Sequence, residues 1–116
     1  MARRVARGEV WLYELKAPDK RRPVVVLTRD SVIRFLHSVM VAPVTSTVHG
    51  ISSEVVIGEA EGLKHVSAVN LDNVQTVSKE RLQQQLGRLG PEKMRELRSA
   101  LAIATGCDPW GDGNTP

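Results

Sequence analysis

A mainly β fold closed by one C-terminal helix is what this 116-residue sequence predicts. Three observations carry the prediction. Valine-rich runs recur at short intervals from Val24 to Val77, and β-branched side chains pack well on a pleated surface. Turn-forming residues punctuate those runs. Only the stretch after Pro91 places apolar residues at helical spacing over several turns. Many short strands plus one helix suggest a small, strongly bent sheet or barrel.

The elements follow in order. Glu9 to Leu15 reads as a first strand, followed by a polar loop from Lys16 to Arg22 with Pro18 and Asp19 as turn residues. Pro23 to Thr28 is a continuous apolar run, suited to a strand covered on both faces, and its leading proline is tolerable only at a first or edge position. Asp30 and Ser31 are placed to cap a short helix over Val32–Leu36. Ser38 to Val44 is a third strand, His49-Gly50 a turn, and Ser53 to Ile57 a fourth strand expected to pair with the third. Ser67–Leu71 and Asn73–Val77 read as strands separated by Asp72. Ser78 can cap a helical turn, with Glu80 near its positive end, before a last strand from Gln83 to Leu89. Pro91 then sits where its missing N–H costs a helix nothing, and Met94, Leu97, Leu101 and Ala104 form an apolar stripe ending at Gly106. One domain is expected over residues 8–106, with a basic arm at 1–7 and a flexible tail at 107–116.

Charge is unevenly placed. Residues 1–34 hold nine Lys and Arg against four acids, while the remainder is net acidic, so an anionic partner belongs with the N-terminal third. The single cysteine, Cys107, excludes a disulfide framework and a cysteine metal site. His37, His49 and His65 lack metal-ligand spacing, and neither metal nor cofactor is expected. P-loop, GxSxG and HExxH patterns are absent, which leaves the common nucleotide, serine-hydrolase and zinc-protease readings without support. The basic start has no apolar signal-peptide core, and no apolar run has the length of a membrane span, so a cytoplasmic protein without membrane contact is expected.

Two clusters at strand ends carry candidate chemistry: the basic residues Lys16, Lys20, Arg21 and Arg22, and the hydroxyls Thr45, Ser46 and Thr47. Arginine grips a phosphate through two parallel N–H bonds, and hydroxyls donate to its remaining oxygens. Trp11 and Tyr13 are the aromatics closest to the basic loop in sequence.

Gly8-Glu9-Val10-Trp11, Arg22-Pro23-Val24-Val25-Val26-Leu27, Val41-Ala42-Pro43-Val44-Thr45-Ser46 and Val69-Asn70-Leu71-Asp72-Asn73-Val74-Gln75-Thr76 together resemble the MazF/PemK family of toxin endoribonucleases, over residues 7–105. That resemblance implies an SH3-like barrel of the MazF/CcdB type, a homodimer, and cleavage of single-stranded RNA at short sequence motifs. It also implies a MazE-like antitoxin whose acidic C-terminal segment occupies the RNA groove. The family's essential arginine falls on Arg22 and its essential threonine on Thr45, with Asp72 a candidate general base. Lys16, Lys20, Arg21, Ser46 and Asn70 are then expected to bind RNA. Some members carry arginine where this sequence has Asn70, which shifts the phosphate-binding role further onto Arg22. The implied reaction is metal-free attack of a 2′-hydroxyl on the adjacent phosphate, leaving a 2′,3′-cyclic phosphate and a 5′-hydroxyl. Two other readings stand beside it: a toxin of the same fold that binds a topoisomerase, and a non-catalytic nucleic-acid-binding barrel.

Overall fold

The computed structural model describes residues 4–14 and 20–107. Lys16, the Pro18-Asp19 turn, the end of the first predicted strand at Leu15 and the predicted flexible tail beyond Cys107 lie outside them. Among the described residues, seven strands and two α-helices follow one another as β1 (Glu9–Glu14), β2 (Arg21–Val26), α1 (Asp30–Ile33), β3 (Ser38–Thr45), β4 (Glu54–Ile57), β5 (Ser67–Asn70), β6 (Gln75–Ser78), β7 (Leu82–Arg88) and α2 (Pro91–Thr105). Single 3-10 turns occupy Glu59–Glu61, Leu71–Asn73 and Lys79–Arg81.

All pairings are antiparallel, in the order β4-β5-β3-β2-β1-β7, with β6 joined to the other part of β3. Because β3 pairs with β2 and β6 along its first part and with β5 at its end, the sheet curls into a half-barrel. Strand periodicity then sorts the valines between two cores. Val24, Val26, Val39 and Val41 join Trp11, Val77 and Leu82 in one cluster. Val25, Ala42 and Val44 join Val55, Val69, Leu97 and Ala100 of α2 in the other. Covering both faces explains why β2 reads as an unbroken apolar run rather than an alternating one. Leu97 is fully buried, so Leu97→Ala would cost about 2–5 kcal/mol.

Several boundaries differ from the sequence expectation, each for a physical reason. β2 begins at Arg21, since Tyr13 and Glu14 of β1 pair with Arg22 and Arg21. Pro23 is therefore inside a strand, yet the β2–β3 ladder reaches only Val24, so on that side Pro23 behaves as an edge residue. β4 does not pair with β3; it pairs along its whole length with β5, and β5 takes the end of β3. The preference follows burial: Ser67, Ala68 and Val69 are all buried and need neighbours on both sides, whereas β4 exposes Val56 and suits an edge. The predicted cap of α1 is absent. Arg29 holds the cap position, and the Asp30 carboxylate accepts the Arg7 N–H at 2.8 Å. The two strands predicted over 67–77 are present as β5 and β6, but Leu71–Asn73 between them folds as a 3-10 turn with Asn70 as its cap, so the break is longer than Asp72 alone.

The C-terminal expectations match. Ser78 accepts the Glu80 N–H at 3.3 Å, and Gly106 ends α2 at a φ of 71°. Gly62 and Gly87 meet back to back: a Cβ on Gly62 would lie 2.1 Å from the Leu86 carbonyl oxygen. This close approach seats the 59–61 turn on β7 at its Leu86 bulge, where the register with β1 shifts.

Candidate RNA-binding groove

The groove begins where the β2–β3 ladder ends. Its last pair is Val24 with Pro43, and Pro23 and Pro43 both lack the N–H that a ladder requires. Continuing the register by two residues sets Arg22 across from Thr45, and by one more Arg21 across from Ser46. The opening between them has a volume of about 510 Å³ and is lined by Lys20, Arg21, Arg22, Pro23, Val44, Thr45, Ser46 and Ser67. Lys20, Arg21 and Arg22 of one predicted cluster and Thr45 and Ser46 of the other thus line one cleft, while Thr47 is not among its lining residues. Ser67 was not legible as a site residue, because only the β3–β5 pairing carries it there.

Polar groups in the groove are largely uncommitted among the described residues. Lys20, Arg21 and Arg22 are exposed, and the ion pair found among the described residues is elsewhere, between Lys93 and Glu96 at 3.4 Å. Glu14, the cross-strand neighbour of Arg21, instead accepts Gln83 Nε2 at 2.8 Å. Thr45 is held differently. Its Oγ1 accepts the Thr47 N–H at 3.1 Å, a local turn contact that fixes the oxygen and leaves the hydroxyl proton free to donate. Rigid strands position Arg22 and Thr45, and the adjoining Ser46 is exposed.

Asn70 and Asp72 are not among the groove-lining residues. Asn70 Oδ1 accepts the Asp72 N–H at 2.9 Å, and Asp72 Oδ2 accepts the hydroxyl of buried Ser53 at 2.6 Å. His49 is exposed with its N–H given to Glu54, also away from the groove lining. Among the described residues no group of three His, Cys, Asp or Glu side chains could hold a metal ion.

The fold is thus a curled half-barrel whose sheet end opens into a cationic, hydroxyl-lined cleft. The family model for PemK-like, MazF-like toxins of type II toxin-antitoxin systems matches residues 6–105, and the chain belongs to that family. It is 48% identical over 103 residues to the probable endoribonuclease MazF5 of Mycobacterium tuberculosis, covering 88% of this chain and 94% of that protein. Identity to the endoribonuclease MazF3 of the same organism is 40% over 90 residues, which cover 78% of this chain and 87% of the relative. Among solved structures, a mycobacterial endoribonuclease in complex with its cognate antitoxin superposes with a TM-score of 0.83 at 29% identity, covering 93% of this chain and 100% of that one. The toxin MazF-mt6 of Mycobacterium tuberculosis gives a TM-score of 0.76 at 38% identity, over 83% of this chain and 94% of that one.

Proposed function

We propose that this toxin cleaves single-stranded RNA in the β2–β3 groove, with Arg22 and Thr45 stabilising the phosphate that reacts. The chain is an endoribonuclease of the MazF type, and its curated relatives carry that activity in their names. The observation that supports the site most strongly is the convergence of an exposed guanidinium, without an ion pair among the described residues, and a prepositioned hydroxyl donor on one open cleft.

The substrate supplies its own nucleophile, so alignment and charge stabilisation are the enzyme's main tasks. The 2′-oxygen forms a bond to phosphorus as its proton leaves, and the bond to the 5′-oxygen breaks. The products are a 2′,3′-cyclic phosphate and a 5′-hydroxyl. Arg22 and Thr45 donate to the non-bridging oxygens as charge builds, and the departing 5′-oxygen takes a proton from water, balancing the one lost from the 2′-hydroxyl. No carboxylate or imidazole lines the groove among the described residues, so water takes the 2′-proton in this scheme. Asp72, committed to Ser53, fits a structural role better than that of base. The charge stabilisation comes from protein donors, and the reaction proceeds without a metal ion.

Lys20, Arg21 and Ser46, together with Lys16, hold flanking phosphates, and Asn70 adds a further RNA contact. An acidic antitoxin segment competes for the same cations, two copies of the chain assemble into a homodimer, and the work is done in the cytoplasm. No helix among the described residues is long and apolar enough to cross a membrane. The test is incubation of purified protein with single-stranded RNA in EDTA, followed by end analysis. Cyclic phosphate and 5′-hydroxyl ends, absent with Arg22→Ala, are expected. Intact RNA with folded wild-type protein would overturn the proposal and favour a protein-binding toxin.

A further inference from the structure

The groove accounts for only part of the N-terminal positive charge. Arg4, Arg7, Arg29 and Arg34 lie at the opposite end of the β2–β3 pair, where the N-terminal arm crosses α1. There a second cleft of about 500 Å³ is lined by Arg4, Val5, Ala6, Glu9, Asp30, Ile33 and Arg34. Its two carboxylates are already engaged. Glu9 Oε1 accepts the Ala6 N–H at 2.8 Å and the Trp11 indole N–H at 3.0 Å, and Asp30 accepts the Arg7 N–H. Arg7 donates its guanidinium inward to the Leu27 carbonyl. Arg4 and Arg34 are exposed and make no ion pair among the described residues. Arg34 also lies over the ring of Phe35, 4.7 Å from its centroid, while Phe35 remains 69% exposed.

An exposed aromatic ring joined to a guanidinium plane, beside a further cation, is the pattern that holds an unstacked base and its phosphate. We propose that the arm–α1 cleft is a second binding site for single-stranded RNA, with a base stacked on the Arg34–Phe35 pair and phosphate held by Arg4 and Arg34. This rests on the reading of the chain as an RNA-cleaving toxin, and it extends that reading from one site to a track. At about 3.3 Å per residue, β2 from Arg21 to Val26 sets the two sites apart by roughly 17 Å of strand. A strand that fills both sites is within the roughly 4–16 nucleotides that small single-strand-binding folds cover.

The test uses the full chain and fluorescein-labelled, 2′-O-methylated oligouridylates of about 4 and about 15 nucleotides, lengths that bracket that range. Arg34→Ala and Phe35→Leu are expected to weaken the longer probe about tenfold and leave the shorter one unchanged, while Phe35→Tyr retains binding. Arg34→Ala should also lower the slope of log affinity against log salt by about 0.7 for the longer probe. Equal effects on both probes, or wild-type binding by Phe35→Leu, overturn the proposal. So does a change of sedimentation mass accompanying loss of both probes, which makes the Phe35 surface an interface between copies. Unchanged RNA binding with weakened polyglutamate binding assigns the cleft to an acidic protein and likewise overturns it. Because the probes cannot be cut, a wild-type protein without nuclease activity sinks the proposed reaction alone and leaves this site standing.

Discussion

The end of the β2–β3 pair and the corner after β5 both hold polar residues at strand ends, and they treat those residues in opposite ways. At the first, the ladder stops at two prolines, the strands part, and Lys20, Arg21 and Arg22 stay exposed without ion pairs among the described residues. At the second, the Asp72 amide and carboxylate and the Asn70 carbonyl all have partners. Leu71, buried beneath them, donates its N–H to Ser53 at 3.1 Å. A satisfied corner rigidifies the chain, whereas an unsatisfied cleft keeps its donors for a ligand. Hydrogen-bond commitment, more than residue type, separates the two regions.

The sharpest way to break this contrast is Arg22→Ala. Removing a donor that meets developing charge should lower kcat by about 10²–10³-fold. Thermal unfolding should not move, because the exposed guanidinium supports no part of the core. Thr45→Ala comes next, with an expected loss of about 10–100-fold for one hydrogen bond to a charged oxygen. Thr45→Ser should restore most of the rate, since it keeps both the donor and the contact to the Thr47 N–H. If Thr45→Ser were as slow as Thr45→Ala, the hydroxyl would not be the working group.

Within the proposed site, Arg22 and Thr45 were legible as polar residues at strand ends from local signals, while their part in the reaction rests on the family resemblance. Arg22-Pro23-Val24 and Pro43-Val44-Thr45 carry turn, strand and polar signals within a few residues of each other. α2 was legible for the same reason, since Pro91, its apolar stripe and Gly106 lie within one short window. What sequence could not fix was long-range pairing. Whether β4 lay beside β3 or β5 depended on which strand had to be buried on both edges, and Ser67 reached the groove only through that choice. Asp72 was equally opaque. A carboxylate in a turn reads alike whether it faces a substrate or a buried serine hydroxyl.

Smaller effects sharpen the groove's outline. Lys20→Ala and Arg21→Ala should each raise KM several-fold with little change in kcat. Each should also reduce the dependence of log affinity on log salt by about 0.7, the share of one phosphate contact on a single strand. A fall in kcat matching the rise in KM would move Arg21 from phosphate binding into the reacting centre.

Asp72→Asn should change the cleavage rate least of all, and this makes it the most informative of the set. The amide keeps an acceptor for the Ser53 hydroxyl but cannot take a proton from a 2′-hydroxyl. Should Asp72 serve as the base, its loss would cost about 10²–10⁴-fold, far outside any structural perturbation. With the corner as described, kcat stays within a few-fold of wild type. Asp72→Ala instead shows its cost in stability, roughly 0.5–1.5 kcal/mol for the lost hydrogen bond, read as a shift of the urea midpoint. Ser53→Ala, made with Asp72→Ala, should add little to that cost, because both remove one contact between the same two atoms. A slow but fully stable Asp72→Asn enzyme would erase the distinction between corner and cleft.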